Sequence, residues 1–338
     1  MPTNETLSTE PEMSVIVLTG ADPTVAAATL QSLVGQTVAD RLEVILVCKA
    51  AAPSEPPGAP APSFAFRTLS WAANDAFGQI RARAVRQCRA PVVAFLEDHS
   101  LADPLWAESY LRAHLGPWAG VGGEPHNGNP GIGISDAVDL MNFLAWLPPT
   151  ERRQDRMLAG HNASYKRHVL LAYGPSLDLL LRSDTVLNMK LAADGHKLLV
   201  EPAAKFSHAN ESTVPSIVRG YYTLSRSIGS TRAEVFDWSL GHRLWRATLW
   251  PLVPVRRIAR LLLTLARSHP HRLPRALGFL PHMAVAWTAT ALGQAAGYLF
   301  GLGDADYRFL VYETESQRGL PADGIRPPPA SVASPAAS

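Results

Sequence analysis

The sequence predicts an α/β domain with a mixed, mainly parallel sheet, followed by helices that are rich in arginine. Two short apolar runs, at 14–19 and 44–47, flank a segment in which Ala26, Leu30 and Leu33 recur at helical spacing. A strand, a helix and a second strand in this order form a β-α-β unit, whose strands run parallel. Two further strands are predicted at 64–69 and 92–96, with a helix at 78–88 between them.

Composition excludes several other classes of protein. Cys48 and Cys88 lie in a predicted strand and at the end of a predicted helix, without the spacing of a metal site. The formal net charge is only +2, and no basic stretch is interleaved with aromatic residues, so nothing favours nucleic-acid binding. The glycine-rich segment 120–134 lacks the pattern of a P-loop or a dinucleotide site. We interpret that segment as a loop.

Four segments, in order along the chain, resemble glycosyltransferase family 2. At 14–47 the sequence is SVIVLTGADPTVAAATLQSLVGQTVADRLEVILV, and at 81–108 it is RARAVRQCRAPVVAFLEDHSLADPLWAE. The third segment, at 159–171, is AGHNASYKRHVLL, and the fourth, at 183–210, is SDTVLNMKLAADGHKLLVEPAAKFSHAN. The chain resembles the subset of this family with Glu-Asp-His in place of the Asp-x-Asp motif.

This resemblance implies the GT-A fold, the Rossmann-like fold of nucleotide-diphospho-sugar transferases, over 13–235. It implies an enzyme that moves a sugar from a nucleoside-diphosphate sugar to a lipid-linked or cell-envelope saccharide acceptor, with inversion. Such an enzyme needs a divalent cation, Mn²⁺ or Mg²⁺, to neutralise the departing diphosphate.

The resemblance assigns the metal to Glu97, His99 and His208. Glu97 and His99 lie two positions apart after a predicted strand, where open α/β sheets build their sites, and can point at one ion. Asp98 would then face the ribose of the donor or a metal-bound water. The alternative for Glu97–Ser100 is a polar turn that caps the next helix, and for His208 it is an ordinary surface or core imidazole.

Other site residues follow from the same resemblance. Asp184 is the candidate base that takes the proton of the acceptor hydroxyl, although Asp184 or Ser183 can instead cap the helix that follows. Arg226 is a candidate diphosphate ligand, and otherwise an ordinary surface arginine. The candidate contacts to acceptor or sugar, which can also form a strand edge of mixed polarity, are Asn162, Tyr165 and Lys166.

Two departures from the family pattern support alternatives to catalysis. The family's second strand ends in acidic residues, whereas Val47 is followed by Cys48-Lys49-Ala50, and a Glu-Asp pair is reduced to Ser183-Asp184. A weakened homologue that binds a nucleotide or a partner protein is therefore a second hypothesis. A third hypothesis is a membrane-anchored structural or assembly protein. The absence of a cleft around Glu97, Asp184 and His208 would distinguish it from the other two.

The region 236–312 is predicted to form basic and apolar helices that associate with a membrane. Between 243 and 275 there are eight arginines and no acidic residue, a pattern that favours an anionic membrane surface, although a helix packed on the domain with a solvated basic face is the alternative. The segment 279–303 carries no charged residue and is long enough either to span a bilayer or to lie on it. The first twelve residues, predicted to be disordered, do not resemble a signal peptide, which places the protein at the cytoplasmic face of the inner membrane. The tail at 313–338 is also predicted to be disordered.

Overall fold

The structure is a computed structural model that describes residues 10–49, 53–59, 62–72, 75–314 and 324–329. In these residues nine strands form one sheet. The strands are β1 (Met13–Leu18), β2 (Leu42–Cys48), β3 (Ala65–Ser70), β4 (Val92–Glu97), β5 (Ser100–Ala102), β6 (Gly120–Asn127), β7 (Arg153–Asp155), β8 (Ala163–Lys166) and β9 (Leu198–His208).

The sheet is mixed and mainly parallel, as predicted. Its order is β3-β2-β1-β4-β8-β6-β9-β5, with β7 also paired to β9. Strands β1 to β4, β6 and β9 run in one direction, while β5, β7 and β8 run antiparallel to their neighbours. The sheet therefore combines a parallel half that begins the chain with an antiparallel insertion beside β4.

The parallel half is buried on both faces, which explains its continuous apolar runs. In β1, Val15 and Val17 join the hydrophobic core on one face, and Ile16 joins the core on the other. The same alternation places Val44 and Ile45 of β2 in opposite cores. Burying each such side chain stabilises the fold by about 1.5–3 kcal/mol, so these strands fix the sheet.

Helices cover both faces of the sheet. In the described residues they are α1 (Ala27–Val34), α2 (Phe77–Gln87), α3 (Trp106–His114), α4 (Gly133–Phe143), α5 (Arg167–Leu171), α6 (Leu177–Leu180), α7 (Asp184–Ala193), α8 (Val214–Val235), α9 (Leu240–Thr248), α10 (Leu252–Ser268), α11 (Leu273–Phe300) and α12 (Ala305–Thr314). Helices α1 and α3 pack on one core through Leu30 and Trp106, and helices α2 and α7 pack on the other through Ile80 and Leu187.

The prediction of a loop over 120–134 is wrong, because residues Gly120–Asn127 form β6 between β8 and β9. The glycines permit close packing inside the sheet. A Cβ on Gly120 would lie 2.8 Å from the Tyr165 ring, and one on Gly123 would lie 2.0 Å from the Ala204 carbonyl oxygen. Because the space is filled by neighbours, the strand lacks the apolar periodicity that identifies strands in a sequence.

The C-terminal helices pack against the rest of the chain through small residues. A Cβ on Gly293 of α11 would lie 2.3 Å from the Tyr222 carbonyl oxygen of α8, and one on Gly297 would lie 2.3 Å from that of Arg226. These glycines let α8 and α11 lie side by side. The sequence leaves two alternatives for residues 279–303, a helix that spans the membrane and one that lies on it. Among the described residues, no helix has both the length and the apolar character needed to cross a bilayer.

Most of the two segments predicted to be disordered lies outside the described residues. Of the tail, residues 324–329 are described, and the Arg326 N–H donates to the Gly128 carbonyl oxygen at 2.8 Å. The domain boundary predicted after 235 falls at the end of α8. The division into domains stays a prediction.

Candidate metal and substrate site

Strand pairing brings three candidate metal ligands together. Glu97 ends β4, His208 ends β9, and β5 pairs antiparallel with β9 so that Ser100 lies opposite His208. The rings of His99 and His208 therefore meet, with centroids 4.7 Å apart. The two histidines are 109 positions apart in the chain, and the sheet makes them neighbours.

The ligand atoms of this cluster have the spacing of a metal site. Glu97 Oε2 lies 2.9 Å from His208 Nε2 and 3.3 Å from His99 Nε2, and the two Nε2 atoms are 3.1 Å apart. Metal–ligand bonds of about 2.1 Å that meet at right angles place ligand atoms about 3.0 Å apart. The three side chains could therefore occupy one face of an octahedral ion and leave the other positions for substrate or water.

Neighbouring side chains hold both histidine rings in the state that binds a cation. His99 Nδ1 donates to Asp98 Oδ1 at 2.9 Å, and His208 Nδ1 donates to Asn210 Oδ1 at 2.9 Å. With the proton on Nδ1, the Nε2 lone pairs of both rings face one another, an arrangement that a shared cation stabilises. Both histidines are buried, so their orientation is set by the protein.

Asp98 is held by hydrogen bonds to two side chains. Its Oδ2 accepts a hydrogen bond from the Thr19 hydroxyl at 2.8 Å, while its Oδ1 accepts from His99. Only 5% of the residue is exposed. Both oxygens of the carboxylate are thus hydrogen-bonded, and one of them orients His99.

Asp184 borders the same cavity, and the cap of its helix is provided by a neighbour. The Ser183 hydroxyl accepts from the Val186 N–H, so Ser183 is the N-cap of α7. Asp184 Oδ1 instead accepts from Arg81 Nη2 at 2.7 Å, and 18% of its side chain is exposed. Gly160 makes room for it, since a Cβ there would lie 2.1 Å from the Asp184 Cβ.

Arg81, which sequence reasoning missed, fixes Asp184 from behind. It is 5% exposed, donates to the Leu181 carbonyl oxygen at 3.0 Å, and stacks 4.1 Å from the centre of the Phe95 ring. A guanidinium held at three points in this way keeps a paired carboxylate in one orientation.

A cleft separates the sheet from the C-terminal helices. Two adjoining cavities, of about 90 and 230 Å³, share Glu97, His99 and Asp184 in their walls. The larger one also contacts His208. The cleft whose absence the assembly-protein hypothesis requires is therefore present.

The helices form the opposite wall of the larger cavity. Its lining side chains include Tyr221 and Leu224 from α8, Arg257 from α10, Thr290 and Gln294 from α11, and Phe309 from α12.

The structure brings one of the three predicted acceptor contacts close to the cluster. Asn162 is fully buried and donates through Nδ2 to the Ser100 hydroxyl at 3.3 Å, which places it behind the histidines. Tyr165 is also fully buried, and its hydroxyl donates to Asn188 Oδ1 at 3.1 Å, which leaves it no surface toward the cavity. Lys166 pairs with Val92 at the start of β4, at the opposite end of that strand from Glu97.

Arg226 is also not brought to the cluster. Its Nε donates to the Gly301 carbonyl oxygen at 3.1 Å, at the end of α11. Helix α8 turns Leu224 and Ile228 toward the cavity, and Arg226 lies on another face of the helix.

Arg257 is the cavity residue that the sequence interpretation assigned to a membrane face. It precedes Leu261 and Leu265 at four-residue spacing, and both leucines are fully buried. An arginine in line with two core leucines lies on the inward face of an amphipathic helix. That spacing was the signal available in the sequence.

Comparisons with known proteins find a likeness to solved structures. No model of a protein family matches the chain, and no curated protein sequence matches it. Among solved structures, the chain is similar to a mannosyltransferase from Pyrobaculum calidifontis in complex with GDP-Man and Mn²⁺, with a TM-score of 0.49 and 17% identity. The similarity covers 89% of this chain and 86% of that chain.

Proposed function

We propose that the protein is an inverting glycosyltransferase of family 2 that uses a nucleoside-diphosphate sugar as donor. The observation that carries this proposal is the cluster of Glu97, His99 and His208, whose ligand atoms lie 2.9–3.3 Å apart in a cleft shared with Asp184. The four ordered sequence segments described above support the family.

The ligands of the cluster favour Mn²⁺ over Mg²⁺. Mg²⁺ prefers oxygen ligands, whereas two imidazoles with one carboxylate suit transition-metal ions such as Mn²⁺. A divalent cation held by these three residues would neutralise the charge that develops on the diphosphate as it departs.

Asp184 is the base of the proposed reaction. In an inverting transfer the acceptor oxygen forms a bond to the anomeric carbon while the bond from that carbon to the diphosphate breaks, and the hydroxyl proton moves to the base. Arg81 holds one oxygen of Asp184, and the part of the side chain that stays exposed borders the cleft. A positioned carboxylate contributes about 10²–10⁴-fold to such a step.

The acceptor is proposed to be a lipid-linked or cell-envelope saccharide at the cytoplasmic face of the inner membrane. Helices α9 and α10 expose Leu244, Trp245, Leu252 and Val255 beside their arginines. A surface that combines exposed apolar side chains with arginines fits anionic lipid headgroups.

The second candidate is a homologue that binds nucleotide without catalysis. The ion pair between Arg81 and Asp184 favours it, because one oxygen of the carboxylate already accepts a hydrogen bond from the guanidinium.

The experiment that tests the proposal incubates the purified protein with a panel of nucleotide sugars and Mn²⁺, Mg²⁺ or a chelator. We expect release of nucleoside diphosphate from one donor that depends on Mn²⁺ and is lost with the chelator. Failure of turnover, donor hydrolysis and nucleotide binding together would refute both candidates. Nucleotide binding that is independent of metal and without turnover would select the second.

A further inference from the structure

The wall of the larger cavity that faces the metal cluster carries three polar side chains from the C-terminal helices. Arg257 comes from α10, and Thr290 and Gln294 come from α11, where their spacing of four residues places them on one face. The metal cluster and the base of the proposed reaction involve none of the three.

Arg257 is a cation on the cavity wall that has no counter-ion among the described residues. Within the described part of the chain its guanidinium makes no ion pair and no hydrogen bond, although Arg256 and Arg260 are its neighbours on α10. The side chain retains exposed surface because it borders the cavity. An unpaired guanidinium that borders a cavity favours an anionic ligand there.

Thr290 gives an independent indication of a ligand on the same wall. It is 2% exposed, and its hydroxyl has no hydrogen-bond partner among the described residues. Buried hydroxyl groups are nearly always hydrogen-bonded in folded proteins. A ligand in the cavity that accepts a hydrogen bond would satisfy Thr290 and neutralise Arg257 together.

We propose that Arg257, Thr290 and Gln294 form a subsite for a phosphoryl group. A guanidinium presents parallel N–H groups that match two phosphate oxygens, and hydroxyl and amide groups donate to the others. This inference rests on the proposed function for the identity of the substrates, because two of them carry phosphate. The phosphate is either the diphosphate of the donor or the phosphate of a lipid-linked acceptor.

The test measures binding of three probes to the full-length protein by calorimetry: Mn²⁺ alone, inorganic pyrophosphate with Mn²⁺, and farnesyl phosphate in detergent. Pyrophosphate stands for the donor, and farnesyl phosphate for the acceptor. The variants are Arg257→Gln, Arg257→Lys and Thr290→Val. The matched control is Arg256→Gln, which removes a charge from an exposed neighbour on the same helix.

We expect Arg257→Gln to weaken one of the two phosphate probes about 10- to 100-fold, the effect of losing a charged hydrogen bond. Arg257→Lys should recover part of the loss, and Thr290→Val should weaken the same probe about threefold or more. Arg256→Gln should bind that probe within about twofold of the wild-type protein, and Mn²⁺ should bind all variants equally. The probe that weakens identifies the source of the phosphate.

The inference is overturned if the wild-type protein binds neither phosphate probe or if Arg257→Gln binds both with wild-type affinity. It is also overturned if Arg256→Gln loses as much affinity for the probe as Arg257→Gln. Because Thr290→Val removes a hydroxyl at nearly constant volume, it tests the subsite even if Arg257→Gln does not fold. Phosphate binding that depends on Arg257, in a protein that transfers no sugar, would refute the proposed function and leave the subsite standing.

Discussion

The two walls of the cleft differ in how their polar side chains are held. On the sheet side, His99, His208 and Asp184 are each oriented by a second residue through a hydrogen bond of 2.7–2.9 Å. On the helix side, Arg257 and Thr290 have no such partner among the described residues. The sheet side is therefore organised before any ligand arrives, whereas the helix side is completed by one.

This difference follows from the elements that form each wall. Strands in one sheet are held to each other by backbone hydrogen bonds, which fix the relative positions of the residues at their ends. The polar groups of the helix side come from α10 and α11, which belong to no sheet and are held by packing. Substitutions on the sheet side should accordingly change metal binding and chemistry, and those on the helix side should change substrate binding.

The largest effect is expected from Asp184→Asn. Removing the base should lower turnover about 10²- to 10⁴-fold while Mn²⁺ binds normally, because the amide cannot accept the acceptor's proton. Initial rates and calorimetry measure the two quantities. Asp178→Asn is the matched control, since Asp178 also pairs with an arginine, Arg86 at 2.6 Å, away from the cleft. Turnover at the wild-type rate in Asp184→Asn would remove this residue from the mechanism.

A smaller effect is expected from Asp98→Asn. The amide keeps the shape of the carboxylate but orients His99 less strongly, so Mn²⁺ affinity should fall about 10- to 100-fold. Because Asp98 is proposed to act only through His99, saturating Mn²⁺ should restore most of the turnover. Loss of activity that no Mn²⁺ concentration restores would show that Asp98 contacts the substrate instead.

The smallest effect concerns His114, which lies outside the cleft and serves as a test of the buried sheet. Burial, assisted by Lys166, lowers the pKa of His114 to about 4, and its Nε2 is 2.9 Å from the Ser164 hydroxyl. The folded state thus binds fewer protons than the unfolded state between about pH 6.5 and 4. Its contribution to stability is complete above pH 6.5 and is lost as the pH falls toward 4.

The free energy of unfolding of the wild-type protein should fall between pH 7.5 and pH 5. In His114→Gln this fall should be smaller by about 2 kcal/mol. Urea denaturation at the two pH values measures it, and exposed His168 provides the control variant His168→Gln. An unchanged pH dependence in His114→Gln would mean that the ring takes up a proton as readily in the folded protein as in the unfolded protein.

The sequence predicted the parallel half of the sheet because that half obeys a local rule. Strands β1, β2 and β4 are apolar on both faces, and the helices between them follow their own period. The sequence predicts a loop in place of strand β6 because Gly120 and Gly123 reflect contacts in the folded structure. The residues that pack closely against them are distant in the sequence. The same distinction applies to the site.

Within the site, the sequence predicted the three cluster residues and not the residues that orient them. Glu97 and His99 follow a recognisable strand, and His208 followed from the family resemblance. The orienting roles of Asp98, Asn210 and Arg81 depend on which atoms the fold brings within hydrogen-bond distance. The place of Lys166 also depends on the fold, since the direction of β8 relative to β4 decides which end of the sheet it reaches.

The central claim is that Glu97, His99 and His208 hold one divalent cation. Titration of the protein with Mn²⁺, followed by electron paramagnetic resonance of the free ion, tests it most directly. The account predicts one site in the wild-type protein that Mg²⁺ displaces poorly, and loss of that site in both Glu97→Ala and His208→Ala with the fold retained. Binding of Mn²⁺ by both variants with unchanged affinity would contradict it.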